Sequence, residues 1–183
     1  AMPGAASGFC VYNDAALAAA RLLELGAERV VDVDVDVHHG DGVQTAFWDD
    51  PRVLTVSLHE HPRTLFPQTG WPEETGGPAA EGGAVNVALP AGTGDAGWLS
   101  ALEELVGVVD RFRPDALVVS LGVDAAAEDP NSPLEVTHDG FAAAGRLIGQ
   151  LARPTVLVHE GGYVLGTLAG HTLAVLAGLE GDP

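Results

Sequence analysis

The sequence predicts an α/β fold of three layers (α/β/α), in which helices cover both faces of a mainly parallel sheet. Two observations support this prediction. Short segments rich in Val and Leu alternate along the chain with longer helix-like segments, which is the pattern of a parallel sheet wrapped by helices. The apolar segments are also nearly continuous, as in Ala116–Leu121, and this is typical of strands that are buried on both faces.

The first half of the chain contains a predicted helix, strand and loop in clear order. Asn13 can cap an alanine-rich helix that stops at Gly26, and a strand over 30–37 follows. The next predicted elements are a short helix at 43–48 and strands at 53–57 and 85–89. A Pro- and Gly-rich excursion over 59–83 is longer than a compact domain usually contains unless the loop is functional.

In the second half, Asp95 can cap a helix that runs to Phe112, and strand Ala116–Leu121 follows. A helix over 137–151, strand Thr155–His159 and a helix over 163–179 complete the pattern. The chain of 183 residues, 46% of them hydrophobic, can bury one core, so we predict a single domain over 1–183.

The segment 34–42 predicts a metal site. It ends a valine-rich strand with carboxylates and imidazoles at alternate positions, and side chains two apart point the same way, so Asp34, Asp36 and His38 share one side. A carboxylate oxygen and an imidazole nitrogen suit zinc or another divalent first-row metal. The alternative is a solvated edge strand that ends in the polar turn Gly40-Asp41-Gly42.

Further reactive side chains follow two other predicted strands. Asp124 comes after Ala116–Leu121, and Tyr163 comes after Thr155–His159. Because ligand sites in such sheets lie off the carboxyl ends of the strands, we expect both to approach Asp36 and His38. The alternatives are a helix-capping or turn role for Asp124 and a half-buried packing role for Tyr163.

At this point the chain resembles the zinc-dependent histone deacetylase family, within the arginase/deacetylase superfamily. The resemblance rests on five motifs, whose order and spacing match along essentially the whole chain. They are Asp-x-Asp-x-His-His-Gly-Asp-Gly at 34–42, Ser-Gly-Phe-Cys at 7–10 before Asn13-Asp14, Leu-Phe-Pro at 65–67 before Thr69-Gly70, Gly-Val-Asp at 122–124 before Asp129-Pro130, and Gly-Gly-Tyr at 161–163. Residues up to 99 are most similar to bacterial acetoin-utilisation deacetylases, whereas 120–129 and 159–163 are more similar to acetylpolyamine amidohydrolases.

The resemblance implies a role for each of these residues. Asp36, His38 and Asp124 would bind one Zn²⁺, or Fe²⁺, and Tyr163 would donate a hydrogen bond to the oxyanion of the tetrahedral intermediate. The resemblance also implies two larger sets. The substrate channel would be formed by Gly8, Phe9, Phe66, Asn131, Gly161 and Gly162, although Asn131 stands where relatives often have an apolar residue. A structural K⁺ would be bound near Asp34, Asp36, His38, Ser57 and Leu58.

In the resembling pattern, Asp34 and Asp41 also orient a pair of catalytic histidines that directly precedes Ala1. We therefore expect the sequence to be the C-terminal portion of a longer catalytic domain, truncated at the N-terminus, and poorly active because general acid–base catalysis is commonly worth about 10²–10⁴ in rate. Arginase-like chemistry with two manganese ions is disfavoured, since the extra carboxylates would have to occupy Gly40 and Gly122.

The sequence thus predicts a zinc-dependent deacetylase that hydrolyses N-acetyl groups of acetyl-lysine proteins. The alternatives are an acetylpolyamine amidohydrolase and a catalytically inactive metal-binding module. A formal charge of −18 argues against nucleic acid and favours cationic substrates, with Glu73, Glu74 and Glu81 as an acidic rim. The longest apolar runs are too short to span a membrane, and we expect a cytoplasmic protein whose open sheet edge would favour homo-oligomers.

Overall fold

The computed structural model describes residues 1–181 of the chain; residues 182 and 183, which belong to the predicted domain, lie outside the described part. Five helices and five strands are found in the described residues. In chain order they are α1 (Asp14–Glu24), β1 (Val30–Asp34), α2 (Asp41–Ala46), β2 (Val53–Glu60), β3 (Ala84–Leu89), α3 (Asp95–Phe112), β4 (Ala116–Leu121), α4 (His138–Gly149), β5 (Thr155–His159) and α5 (Leu165–Glu180).

All five strands pair in parallel, in the order β3-β2-β1-β4-β5. The central strand β1 pairs with β2 on one side and with β4 on the other, so that Asp34 lies opposite both Ser57 and Ser120. After β1 the chain adds β2 and β3 on one side of it, and then β4 and β5 on the other side. Such a reversal opens a crevice at the carboxyl ends of the two strands, where ligands bind in open α/β sheets.

Helices cover both faces of the sheet, which confirms the predicted three-layer architecture. On one face, Val31 and Val33 of β1 belong to a buried cluster with Trp98 of α3 and Phe141 of α4. On the other face, Val30 belongs to a smaller cluster that includes the buried alanines of α1. Because successive residues of a strand point to opposite faces, the valines of β1 contribute to both clusters.

The strand predicted over 30–37 ends at Asp34. Beyond it, the carboxylates of Asp34 and Asp36 accept the backbone N–H groups of Asp36 and His38, at 3.1 and 2.8 Å, and these bonds replace regular pairing. The strand predicted over 53–57 instead continues to Glu60, because β3 pairs with it as far as Leu89.

The predicted cap of α1 is confirmed, since the Asn13 side chain accepts the N–H of Ala16 at 2.9 Å. The predicted cap of α3 is wrong. Gly94 occupies the N-cap position, and the Asp95 carboxylate instead accepts the N–H and the hydroxyl of Thr137, at 2.8 and 2.6 Å. This contact ties α3 to the start of α4, and the local sequence does not reveal it because the two residues are far apart in the chain.

The short helix predicted at 43–48 lies two residues earlier, at Asp41–Ala46. The last helix begins at Leu165 and not at 163, because the backbone of Val164 is extended, with φ −100° and ψ 94°. None of the helices described over residues 1–181 has the length and apolar character needed to cross a membrane.

Candidate functional site

The three predicted ligand side chains meet where the strand order reverses. Asp36 and His38 follow β1, Asp124 follows β4, and the donor atoms of the three side chains all lie within 4.8 Å of one another. His38 Nδ1 lies 2.9 Å from Asp36 Oδ1 and 3.2 Å from Asp124 Oδ2. The fold thus assembles, from two separate loops, a group of donors that can hold a metal ion.

Backbone hydrogen bonds orient these carboxylates. The N–H of Val37 donates to Asp124 Oδ1 at 3.0 Å, which joins the loop after β1 to the loop after β4. The other oxygen of Asp124 is buried and has no hydrogen-bond partner, since its approach to His38 lacks hydrogen-bond geometry. A fully buried carboxylate oxygen without a partner is rare in proteins and marks a place where an additional ligand fits.

The electrostatics of the cluster favour a positive charge between the carboxylates. Burial, followed by the neighbouring Asp36 charge, raises the pKa of Asp124 to about 6. Burial alone would lower the pKa of His38, but its contacts with Asp124 and Asp36 outweigh burial and raise it to about 10. A proton on His38 therefore supplies the positive charge in the metal-free chain, and a cation would exchange with that proton.

The donor set fits one divalent ion. Two carboxylates and one imidazole suit zinc or iron, and three protein ligands leave a position open for water or substrate. The positions that would need carboxylates for a second ion are glycines. At Gly122 a Cβ atom would lie 2.6 Å from Asp36 Cγ, and at Gly40 it would lie 2.5 Å from Asp34 Oδ2, so neither position has room for a side chain.

Tyr163 reaches the same site from the loop after β5. It lines a cavity of about 330 Å³ together with Asp36 and His38. Burial, followed by the charges of Asp124 and Asp36, raises the pKa of the Tyr163 phenol to about 12. The phenol is therefore protonated at neutral pH and is available as a hydrogen-bond donor.

The predicted channel residues divide into two groups. Gly8, Phe9, Phe66 and Gly161 line the cavity, and the Phe66 ring lies with its centroid 6.3 Å from that of His38. Gly162 and Asn131 do not belong to the lining formed by residues 1–181, and Asn131 is exposed.

A tight turn presents Phe9 at the mouth of the cavity. Ser7 and Cys10 exchange two backbone hydrogen bonds, and the residues between them, Gly8 and Phe9, have positive φ angles of 59° and 61°. Positive φ at both central residues is typical of a type I′ turn. The turn leaves the Phe9 side chain 94% exposed, with its ring edge toward Tyr163 at 6.1 Å between centroids.

The residues predicted to surround potassium include Asp36 and His38 and, next to them, three residues of β1 and β2, Asp34, Ser57 and Leu58. Asp34 is buried and accepts a hydrogen bond from the Ser57 hydroxyl at 3.2 Å, and Leu58 is fully buried beside it in β2. Burial, followed by Asp36 and Asp32, raises the pKa of Asp34 well above its ordinary value. Asp41 begins α2 and lines the cavity.

Sequence reasoning missed a buried polar network around His39. The two ring nitrogens of His39 contact Thr69 Oγ1 at 2.9 Å and Gln44 Oε1 at 3.1 Å, and burial lowers the pKa of His39. The Gln44 amide in turn donates to Glu74 at 2.8 Å. His39 therefore buttresses the site and is not free to act as a base.

The same network corrects the expected role of Glu74. Its carboxylate accepts the backbone N–H groups of Gly70 and Trp71 at 3.1 to 3.2 Å, and so anchors the excursion over 61–83 in place of facing substrate. Glu73 and Glu81 are exposed. The pattern of Gly and Glu in the loop did not reveal the contact with Gln44, because Gln44 lies 30 residues away in the chain, in α2.

The comparisons with known proteins identify the family of this chain. Residues 1–179 match the family model described as histone deacetylase domain, and the chain therefore belongs to the histone deacetylase family. An acetylpolyamine amidohydrolase of Burkholderia pseudomallei (strain 1710b) is 41% identical over 175 residues, which cover 95% of this chain and 51% of that protein.

A probable deacetylase of Archaeoglobus fulgidus is 40% identical over 188 residues, covering 99% of this chain and 52% of that protein. Among solved structures, acetylpolyamine aminohydrolase from Burkholderia pseudomallei superposes with a TM-score of 0.94 at 40% identity, over 98% of this chain and 52% of that one. The chain thus spans about half the length of the curated relatives it matches.

Proposed function

We propose that this chain supplies the metal centre and the oxyanion-stabilising tyrosine of a deacetylase that hydrolyses N-acetyl amides. The observation that carries the proposal is that Asp36 and His38, which form a cluster of donor atoms with Asp124, line the same cavity as Tyr163. In this assignment the first three residues hold a zinc or iron ion. When bound, such an ion polarises the acetyl carbonyl and acidifies a water molecule.

The remaining chemistry belongs to the side chains. Tyr163, protonated at neutral pH, donates a hydrogen bond to the carbonyl oxygen as negative charge develops there. Phe9 and Phe66 would line the path of an apolar methylene chain that carries the acetylated amine. Asp34 and Asp41 would each orient one histidine of the catalytic pair that, in the resembling pattern, directly precedes Ala1 and transfers the proton. Asp34, Ser57 and Leu58 would hold a potassium ion that stabilises the loop carrying Asp36 and His38.

Acetylpolyamines are the first substrates to test. Two observations favour them: a relative with 41% identity is named an acetylpolyamine amidohydrolase, and the formal charge of −18 would attract a polycationic amine over long range. Acetyl-lysine presents the same acetylated amine on a methylene chain. Acetyl-lysine proteins, the substrates first expected from the sequence, are therefore the second candidate.

The metal assignment is tested by calorimetric zinc titration of the wild-type chain and of Asp124→Ala, with circular dichroism to show that both are folded. We expect one site per chain, which the variant loses. Acetate release from an acetylpolyamine and from an acetyl-lysine peptide then tests the reaction, with Tyr163→Phe as the matched variant. Metal binding without acetate release above the level of Tyr163→Phe would instead favour a non-catalytic metal-binding module.

A further inference from the structure

Packing of its own ring holds the Tyr163 phenol only in part. Tyr163 is 40% exposed, and the ring against which it packs edge-on belongs to Phe9, which is itself 94% exposed. The backbone that carries Tyr163 therefore matters for where the phenol lies, because it fixes the Cα atom and the direction of the Cα–Cβ bond.

That backbone is held at both ends of the segment 161–163. The N–H of Gly161 donates to Asp36 Oδ2 at 2.9 Å, and its carbonyl accepts the N–H of Val123 at 2.8 Å. At the other end, the N–H of Tyr163 donates to Asp129 Oδ2 at 2.7 Å. The loop after β5 is thus tied to the loops after β1 and β4, which carry the candidate ligands.

Asp129 is suited to this anchoring contact. It is only 4% exposed, and its other oxygen accepts the N–H of Asn131 at 3.0 Å. No Lys or Arg in the part of the chain that the structure describes forms a salt bridge with it. A buried carboxylate whose partners are backbone N–H groups makes short, charge-assisted hydrogen bonds, which are stronger than neutral ones.

We propose that Asp129 is a positioning residue that fixes the backbone of Tyr163 and thereby aims the phenol at the carbonyl oxygen of the substrate. The proposal deepens the proposed function and, for its catalytic consequence, rests on it. The anchoring contact itself exists whether or not the chain is an enzyme.

The anchoring contact is tested by nuclear magnetic resonance on the whole chain. In Asp129→Ala, we expect the Tyr163 amide proton to move upfield and to exchange with solvent about 10- to 100-fold faster, as for loss of a hydrogen bond to a charged group. Asp129→Asn keeps one oxygen acceptor and should show a smaller change. Asp139→Ala, which removes an exposed carboxylate of α4, is the control and should leave this amide unchanged.

The consequence for catalysis is tested by zinc titration and by acetate release with the same variants. We expect one zinc per chain in each, a kcat about tenfold lower in Asp129→Ala with KM within about twofold, and partial recovery in Asp129→Asn. Unchanged amide exchange in Asp129→Ala, or an unchanged kcat beside an altered amide, would overturn the proposal, as would loss of zinc binding in Asp129→Asn. If the wild-type chain bound no zinc, the proposed function would fail, and amide exchange alone would decide whether Asp129 anchors Tyr163.

Discussion

Without metal, Asp124→Asn should be at least as stable as the wild-type chain, and adding zinc should make it the less stable of the two. In the metal-free chain the Asp124 carboxylate is fully buried and close to Asp36. Raising its pKa from 3.8 to about 6 corresponds to about 3 kcal/mol against the ionised form. This penalty is absent below about pH 4, where the folded and unfolded chains are both protonated, and it is complete once the pH rises above about 6.

At pH 8 the metal-free Asp124→Asn chain should therefore be as stable as wild type, or up to about 3 kcal/mol more stable. The amide oxygen can still accept the N–H of Val37, which donates to this residue at 3.0 Å. The gain will fall short of the full figure to the extent that the carboxylate also stabilises protonated His38.

Zinc should have the opposite effect, because it replaces the repulsion between carboxylates by ligation. At a free zinc concentration of a hundred times Kd, binding stabilises the folded chain by about 2.7 kcal/mol. For a chain of this size that corresponds to a rise of about 5–11 °C in Tm. Asp124→Asn should show no such rise, so that the variant becomes the less stable protein.

The assay is thermal unfolding followed by circular dichroism at pH 8, with chelator and with increasing zinc. Glu103→Gln, which removes an exposed carboxylate from α3, is the charge-matched control and should gain as much from zinc as wild type. An equal zinc-induced rise in Asp124→Asn and wild type would refute the assignment of Asp124 as a ligand.

Three further predictions follow from the same contacts. Because the pKa of His38 is about 10 in the metal-free chain, zinc binding near pH 7 should release about one proton from His38, and zinc affinity should rise as the pH rises toward 10. Calorimetry in two buffers of different ionisation enthalpy measures the number of protons released. Zinc binding without proton release would contradict ligation by His38. A Cβ at Gly161 would overlap the carboxylate of Asp124, so Gly161→Ala should weaken zinc binding by about 10- to 100-fold. The control is Gly166→Ala in α5, where a Cβ would meet open space and zinc affinity should stay unchanged. Equal zinc affinities of the two variants would contradict this steric explanation. Glu74→Ala removes the carboxylate that anchors the 61–83 loop, so it should lower the free energy of unfolding in urea by about 1–3 kcal/mol and speed proteolysis of the loop. Glu73→Ala, at an exposed neighbouring position, should change neither. Cleavage of Glu74→Ala at the wild-type rate would show that the anchor is dispensable.

Local patterns along the chain were sufficient to predict most of the architecture. The strands Ala116–Leu121 and Thr155–His159 have the predicted bounds, and the convergence of Asp36, His38 and Asp124 followed from placing each after a parallel strand. The boundary of β1 was predicted three residues too late, because the valine–aspartate alternation continues after the strand ends. There the Asp side chains bond to the backbone of the same segment, which periodicity does not distinguish from strand pairing.

The sequence by itself determined the class of fold and identified the candidate metal ligands and the candidate tyrosine, because each depends on residue type and on spacing within one segment. Only the tertiary structure decided how those residues are held. The contacts of Asp129 with Tyr163 and of Glu74 with Gln44, like the unpartnered oxygen of Asp124, depend on which segments of the chain meet in the folded structure. Such contacts arise from the packing of distant segments, and for that reason no local pattern in the sequence records them.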